Sequence, residues 1–410
     1  MLPVRILIYS INYAPELTGI GKYNAEMAEW LANKGHDVAV ITAPPYYPWW
    51  KVQAPYRSWS YFTEQLNGVK VYRCPVWVPT RLSGLKRLIH LASFALSSLP
   101  VMLRQIFRCP DVLMVIEPPL MCSPTALLVS KLSGAKSWLH VQDLEVDAAF
   151  DLGLLPSGHL RHAVLFVERQ LMRIFGRVST ISTNMLNRLV DKGVRQGRAA
   201  LFPNWVDTGV IFPVDSPPLM REELGVPANT VVALYSGNMG EKQGLEIVLK
   251  AARQHVSDER IQYILCGDGP VRSRLQAEYA SLANVLWLPL QPVEKLNDLL
   301  NVADIHLLPQ RADAADLVMP SKLTGMLASG RPVIATSHAG THLAEVVSNC
   351  GIVVSPDDVT GFVNAMSRLV QNKVERDAYG AAAREYAEKH MAKASVLGRL
   401  EDSLSALVSK

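Results

Sequence analysis

The sequence predicts an α/β protein built from two doubly wound, Rossmann-like parallel-sheet domains, and three observations predict it. Its 410 residues leave room for two or three domains of roughly 100–200 residues each. Short, fully apolar runs alternate with helix-period segments, the pattern of parallel strands covered by helices on both faces. That alternation stops once, at 202–225, where Pro203, Pro213, Pro217 and Pro218 crowd a stretch without periodicity, and then restarts.

In the first half, Val4–Ile11, Val38–Thr42, Val69–Arg73, Val112–Ile116, Ser137–Val141 and Val178–Ile181 read as strands. The helical patterns between them are Lys22–Lys34, Leu85–Phe107, Pro124–Leu132 and Leu160–Phe175. In the second half the strands are Val231–Ser236, Ile261–Cys266, Val285–Pro289, Ile305–Leu308, Pro332–Ala335 and Gly351–Val354. Gly244–His255, Val271–Leu282, Pro292–Val302, Lys322–Ala328 and Thr341–Val347 are the helices that separate them. The resulting division is a first domain at 1–205, a linker at 206–225, a second domain at 226–380 and a closing helical segment at 381–410 that can cross back to the first domain. Ligands of open α/β sheets bind outside the carboxyl ends of the strands, so the two domains are expected to face a central cleft.

A composition of 49% hydrophobic and 19% charged residues excludes a disordered tail, a collagen-like repeat and a disulfide-stapled scaffold. The net charge of +4 hides an asymmetry: residues 1–205 carry 22 Lys+Arg against 13 Asp+Glu, whereas residues 206–410 carry 19 against 24. A basic first half points to an anionic surface or substrate on that side. Five scattered cysteines without a CxxC pair indicate neither a zinc site nor a disulfide framework, and point to a reducing, cytoplasmic compartment. The apolar run at the start leads straight into Asn12-Tyr-Ala-Pro-Glu16 and reads as a buried strand rather than a signal segment. The longest apolar stretch, Leu88–Leu103, holds His90 and Pro100 and falls short of the about 20 residues a bilayer span needs.

The chemistry concentrates at strand ends. Gly19 and Gly21, in the loop after the first strand, open a helix whose N–H groups favour an anion. A dinucleotide fingerprint fails there, because its third glycine is Asn24 and no acidic ribose ligand follows the second strand at Thr42; an NAD-dependent oxidoreductase is therefore disfavoured. His140 ends a strand beside Gln142, Asp143, Glu145 and Asp147. That position suits a ligand crevice, with Asp143 the favoured carboxylate; a structural histidine is the plain alternative. In the second half Gly237, Asn238, Gly240 and Lys242 follow one strand, Gly267 and Asp268 follow another, and Ser321 and Lys322 begin a helix behind Pro320. Three such turns on one domain suit a nucleotide diphosphate. The aromatic run Pro44–Trp50, with Tyr46, Tyr47 and Trp49, suits sugar stacking or a lipid interface, or else packs as a surface loop. Lys86, Arg87, Arg104 and Arg108 flank an apolar helix that suits an interfacial surface or, equally, a buried helix pair.

The segments INYAPELTGIGKYNAEMAEWLANKGHDVAVITAPPYYPWWKV, LHVQDLEVDA, VERQLMRIFGRVSTIS, LFPNW, LYSGNMGEKQGLEIVLKAA, CGDGP and MPSKLTGMLASGRPVIAT, in this order and spacing, resemble the GT-B, family 4 glycosyltransferases over nearly the whole chain. The resemblance implies a retaining transferase without a resident cofactor, in which the nucleotide sugar is a substrate; with Lys242, Lys322 and the Gly19–Gly21 amides to take up the leaving charge, no metal is expected. The resemblance places Gly19 and Gly21 near the donor phosphate and acceptor, and His140 at the transferred sugar. Lys242 then falls on the donor pyrophosphate, Gly267 and Asp268 beside the nucleotide, Ser321 and Lys322 beneath the phosphates, and Ser182 at the cleft. Two departures stand out: Asn238 replaces the usual arginine, and Leu317 and Gly325 stand where paired glutamates are usual. Ribose recognition would then fall to Asp313 or Asp316.

The resemblance implies GDP-fucose as donor in exopolysaccharide synthesis, and the apolar helix flanked by basic residues, with the aromatic run Pro44–Trp50, suits a polyprenyl-diphosphate-linked saccharide as acceptor. Peripheral contact with an anionic membrane follows, and nucleic acid is not expected as a partner. A nucleotide-sugar 2-epimerase and a non-catalytic nucleotide-sugar-binding protein share the architecture and are the competing readings.

Overall fold

The computed structural model describes residues 3–16, 19–80, 83–144, 146, 159–214, 216, 218–312 and 320–409. The chain divides into two compact units, Met1–Pro203 together with Leu397–Lys410, and Asn204–Val396.

The first unit carries β1 (Arg5–Tyr9), β2 (Asp37–Thr42), β3 (Phe62–Leu66), β4 (Val69–Arg73), β5 (Val112–Glu117), β6 (Lys136–Val141), β7 (Arg177–Thr180) and β8 (Ala199–Leu201). Among the described residues they form one sheet in the order β3-β4-β2-β1-β5-β6-β7-β8. All neighbours are parallel except β3 and β4. Every residue of β5 is buried, as expected of a strand with helices on both faces. The periodicity reading passed over β3 and β8. An Asn67-Gly68 turn with positive φ at both residues joins β3 to β4, the usual signal for a tight hairpin. The alternating, largely exposed side chains of β3 mark it as an edge strand.

The second unit carries β9 (Val231–Ser236), β10 (Ile261–Cys266), β11 (Val285–Leu288), β12 (Ile305–Leu308), β13 (Val333–Thr336) and β14 (Gly351–Val354). Their order is β11-β10-β9-β12-β13-β14, with parallel pairing throughout. The central strand β9 lies between β10 and β12, so the winding reverses at its edge. That reversal opens a crevice outside the carboxyl ends of β9 and β12.

Two expectations about the joins need correction. The segment 206–225 is a packed part of the second unit rather than a linker. Val206, Ile211 and Met220 are buried in its cores, and Arg384 donates to the carbonyls of Ile211 (2.8 Å) and Thr208 (3.1 Å). The closing segment is also not one helix from 381. Helices Lys373–Tyr386 and Lys393–Val408 are separated by a π turn and an extended Ala392. Val206 donates to the Met391 carbonyl (2.8 Å) and accepts from the Lys393 N–H (2.9 Å), a bridge that interrupts the helical ladder. Only the part from Leu397 belongs to the first unit, where Glu401 meets His36 at 3.3 Å.

Candidate active site

In the second unit the two glycine turns interlock. The Gly237 N–H donates to the Cys266 carbonyl (2.9 Å), and the Met239 N–H donates to the Asp268 carbonyl (2.8 Å). Gly267 has φ +144°, and a Cβ placed on it would lie 1.9 Å from the Gly237 carbonyl oxygen. Only glycine fits this approach, which brings the end of β9 and the end of β10 into one surface. Asn238 and Asp268 stand exposed on that surface; the Asp268 Oδ1 accepts the Gly269 N–H at 2.8 Å.

Lys322 opens the helix Lys322–Ala328 that follows β12. Its ammonium reaches back to the β9 turn and donates to the Tyr235 hydroxyl at 2.9 Å, 4.1 Å from the centre of that ring. A Cβ on Gly237 would meet it at 3.2 Å. Burial pushes the Lys322 ammonium down to about 7, because desolvation disfavours the charged form. Ser321, immediately before it, is exposed, and its side chain does not cap the helix.

Lys242 is exposed on a 3₁₀ turn, Glu241–Gln243. Its carbonyl accepts the Arg311 N–H at 3.0 Å, which ties the turn to the chain leaving β12. Asp313, Asp316 and Leu317 lie outside the described residues, as do Glu145 and Asp147. Gly325 is described, and a side chain there would meet Leu300 at 3.3 Å.

In the first unit the loop after β1 is organised by a residue that sequence reasoning missed. Glu16, buried, accepts from the backbone N–H groups of Tyr46 (3.1 Å) and Tyr47 (3.0 Å) and from the Asn12 amide (2.9 Å). It thereby clasps the aromatic loop to the start of the helix Gly19–Asn33. Gly19 takes φ +63°, and a Cβ on Gly21 would lie 2.6 Å from the Glu16 Oε2 and 2.8 Å from its Cβ. Gly21 is thus needed for the clasp itself. Gly21→Ala should lower unfolding stability by roughly 1–3 kcal/mol, read as an earlier urea midpoint; an unchanged midpoint would show that Glu16 can give way. Asn24, which spoils the dinucleotide fingerprint, is buried and donates to the Ser10 Oγ (2.8 Å) and the Asn12 carbonyl (3.1 Å).

The three aromatic candidates separate. Tyr46 is only 4% exposed and packs edge-on against Trp50 (5.5 Å) and His90 (4.7 Å), so its ring belongs to the core. Tyr47 at 37% and Trp49 at 63% are exposed. Ser182 also proves structural: buried, it caps the helix Thr183–Asp191 by accepting the Met185 N–H at 3.3 Å.

His140, near the end of β6, is buried with both ring nitrogens engaged. Ser179 Oγ lies 2.9 Å from Nδ1 and the Gln142 amide 3.1 Å from Nε2. Trp138 Nε1 donates to the same Ser179 oxygen at 2.8 Å, and Phe202 packs on the imidazole at 4.8 Å. Burial lowers the imidazole to about 3, so it is neutral at any physiological pH. Asp143 is half-buried in the turn that follows.

With this geometry in hand, known proteins resemble the chain at three levels. Residues 18–205 match the model of a glycosyl transferase 4-like domain, and residues 230–372 match that of glycosyl transferases group 1. A relative from Escherichia coli (strain K12), the putative colanic acid biosynthesis glycosyl transferase WcaI, is 42% identical over 405 residues, covering 96% of this chain and 98% of its own. Among solved structures, the sucrose-phosphate synthase from Thermosynechococcus elongatus aligns with a TM-score of 0.76 at 18% identity, covering 98% of this chain and 99% of that one. Anabaena Alr3699/HepE in complex with UDP-glucose aligns at 0.71 and 14%, covering 98% and 100%. Those two likenesses speak to the GT-B fold alone. Two parallel α/β units, a matched domain model on each, and identity sustained along nearly the whole chain make this protein a member of the group 1 glycosyltransferases.

Proposed function

We propose that the chain moves a glycosyl group from a nucleotide-diphosphate sugar to a saccharide acceptor during assembly of an extracellular polysaccharide of the colanic acid kind. The observation that carries the donor class is the half-buried Lys322 at the β9–β12 crevice, its ammonium held against two interlocked glycine turns by a neutral hydroxyl. The likeness to the putative colanic acid glycosyl transferase of Escherichia coli supports the polysaccharide, and the UDP-glucose held by the Anabaena protein supports a nucleotide sugar. GDP-fucose is the donor we assign, and a polyprenyl-diphosphate-linked saccharide the acceptor.

As the bond between the anomeric carbon and the phosphate oxygen breaks, negative charge grows on the diphosphate and positive charge on the sugar. Lys242 and Lys322, with backbone N–H groups of the glycine turns, stabilise the former, and such fixed charges act most strongly where water is excluded. The departing phosphate oxygen accepts the proton of the attacking hydroxyl on the same face, which retains the anomeric configuration. Neutral His140, its ring nitrogens taken by Ser179 and Gln142, transfers no proton and acts on the sugar only by fixing the turn that carries Asp143. Gly19 and Gly21 bring backbone close to the substrate, and Tyr47 and Trp49 offer stacking surfaces to the acceptor.

Nucleotide sugars bound by the folded chain raise its melting temperature, so a thermal-shift panel should single out GDP-fucose. Lys242→Ala should retain the wild-type melt without ligand but lose the shift and at least 100-fold in turnover. Turnover should persist in EDTA. A flat panel defeats the donor reading, and unchanged kinetics remove Lys242 from the reaction.

The acceptor's lipid anchor fits a surface of the first unit. In the helix Gly84–Arg104, one face buries His90, Leu91, Phe94 and Met102. Leu85, Ile89, Leu96, Leu99 and Leu103 remain exposed along a stripe that Phe107 extends. Lys86, Arg104 and Arg108 are exposed beside it, the pattern of an interfacial helix. Among the described residues no helix is long and apolar enough to cross a membrane. Peripheral attachment at the cytoplasmic leaflet follows: the chain should float with vesicles containing about a third anionic lipid, and Leu96→Glu with Phe107→Glu should return it to the soluble fraction. Wild-type protein that stays soluble refutes the attachment.

A further inference from the structure

We infer that Tyr235 is the positioning residue of the donor-diphosphate subsite, holding the Lys322 ammonium at the Gly237–Asn238 turn so that Lys322 supplies the positive charge this turn lacks in its own side chains. The inference rests on the donor reading above and names the device inside it. Tyr235 is fully buried near the end of the central strand β9. Its hydroxyl accepts from Lys322 at 2.9 Å and donates to the Asn238 carbonyl at 2.5 Å, so one oxygen links the ammonium to the turn. The ring lies under the same ammonium, 4.1 Å from its centre, a cation–π contact that restrains the charge from a second direction.

Gly237 completes the sheath, because any side chain there would press on the Lys322 Nζ and Cε at 3.2 and 3.3 Å. Asn238, the next residue, is exposed and uncharged. The cation at this turn therefore arrives from the helix after β12, across the crevice edge, rather than from the turn's own sequence. Among the described residues the titratable group facing the ammonium is Tyr235, itself pushed up by burial, so the lysine meets a neutral acceptor and no carboxylate. Packing alone does not require an ionisable group here: methionine fills similar space without the cost of burying a charge. A charge kept, among the described residues, without a counter-charge, at the position where the winding reverses, is matched by an anion that arrives with the ligand.

Calorimetric titration of the full chain with UDP, GDP and inorganic pyrophosphate from pH 6 to 9 tests this. Wild-type affinity for pyrophosphate should fall as pH rises above 7, since only the protonated lysine attracts the anion. Tyr235→Phe keeps the ring and removes the hydroxyl. It should weaken binding at pH 7.5 at least tenfold and move the pH midpoint at least half a unit lower, because the ammonium has lost its acceptor. Lys322→Met should weaken binding at least 30-fold and abolish the pH dependence. Asn238→Arg in that background puts a cation back on the same turn and should recover at least tenfold of the loss. Tyr235→Phe with wild-type affinity and midpoint overturns the inference, as does Lys322→Met with wild-type affinity or a failed recovery by Asn238→Arg. If Lys242→Ala loses binding while Tyr235→Phe and Lys322→Met do not, the donor reading stands and this inference falls. A wild-type chain that binds none of the three probes removes both.

Discussion

Gly267→Ala should unfold the second unit rather than tune its activity. The added Cβ would sit 1.9 Å from the Gly237 carbonyl oxygen and 2.9 Å from its carbon, and both are backbone atoms. They cannot swing aside as a side chain can, because the Gly237 N–H is bonded to Cys266 and the Met239 N–H to Asp268. The φ of +144° adds a strain that alanine does not relieve. Relief would need β9 and β10 to separate where they are paired from Ile261↔Val231 to Cys266↔Ser236. A cost of roughly 3 kcal/mol or more is expected, seen as a urea transition of the second unit at much lower denaturant. Gly197→Ala is the control, since nothing lies within 4 Å of a Cβ there and its φ is outside the left-handed region; it should stay within about 0.5 kcal/mol of wild type. If both variants melt alike, the close approach of the two turns is wrong.

Lys322→Met should stabilise the ligand-free chain while destroying its affinity for the donor. The sign follows from linkage. The lysine has an ordinary value of 10.5, and burial holds it at about 7 in the folded chain. Below pH 7 the folded and unfolded chains both carry the charge, and the folded chain bears the full cost of burying it. Between pH 7 and 10.5 the unfolded chain still binds the proton that the folded chain has released, so wild-type stability rises with pH across that window. The gain from methionine is therefore largest at pH 7 and below, about 1–3 kcal/mol by analogy with other buried charges replaced by apolar groups, and fades toward pH 10. Urea melts at pH 6.5, 8 and 9.5 measure it. A methionine variant less stable than wild type at pH 6.5, or a difference that ignores pH, means that the ammonium is not buried as described.

The fold and the candidate site were legible to different depths. Strands Val231–Ser236, Ile261–Cys266, Ile305–Leu308 and Gly351–Val354 were readable to the residue, because strands covered by helices on both faces are mostly apolar. The edge strand β3 was not, since its exposed side chains leave no apolar run; only the Asn67-Gly68 turn betrayed it. Glycine and lysine at strand ends drew attention to Gly237, Gly267 and Lys322, which the structure gathers into one surface. Tyr235 and Glu16 escaped notice: a tyrosine in a strand looks like core, and a glutamate in a loop looks like solvent-facing charge. Tyr46 and Ser182 went the other way, their composition suggesting a ligand surface and their burial assigning them to packing and capping.

By itself the sequence determined the two parallel α/β units and the strand ends where glycine turns gather, because hydrophobic periodicity and glycine placement are local properties of the chain; the order and spacing of its motifs carried the resemblance to the family. Only the tertiary structure decided that Lys322 lies over Tyr235, that Glu16 clasps the aromatic loop, that His140 is neutral, and that Val206 breaks the last helix at Ala392. Each of these depends on burial and on partners from elsewhere in the chain. Whether a charge is sheathed or solvated is set by the neighbours that folding brings to it, and local sequence does not specify them.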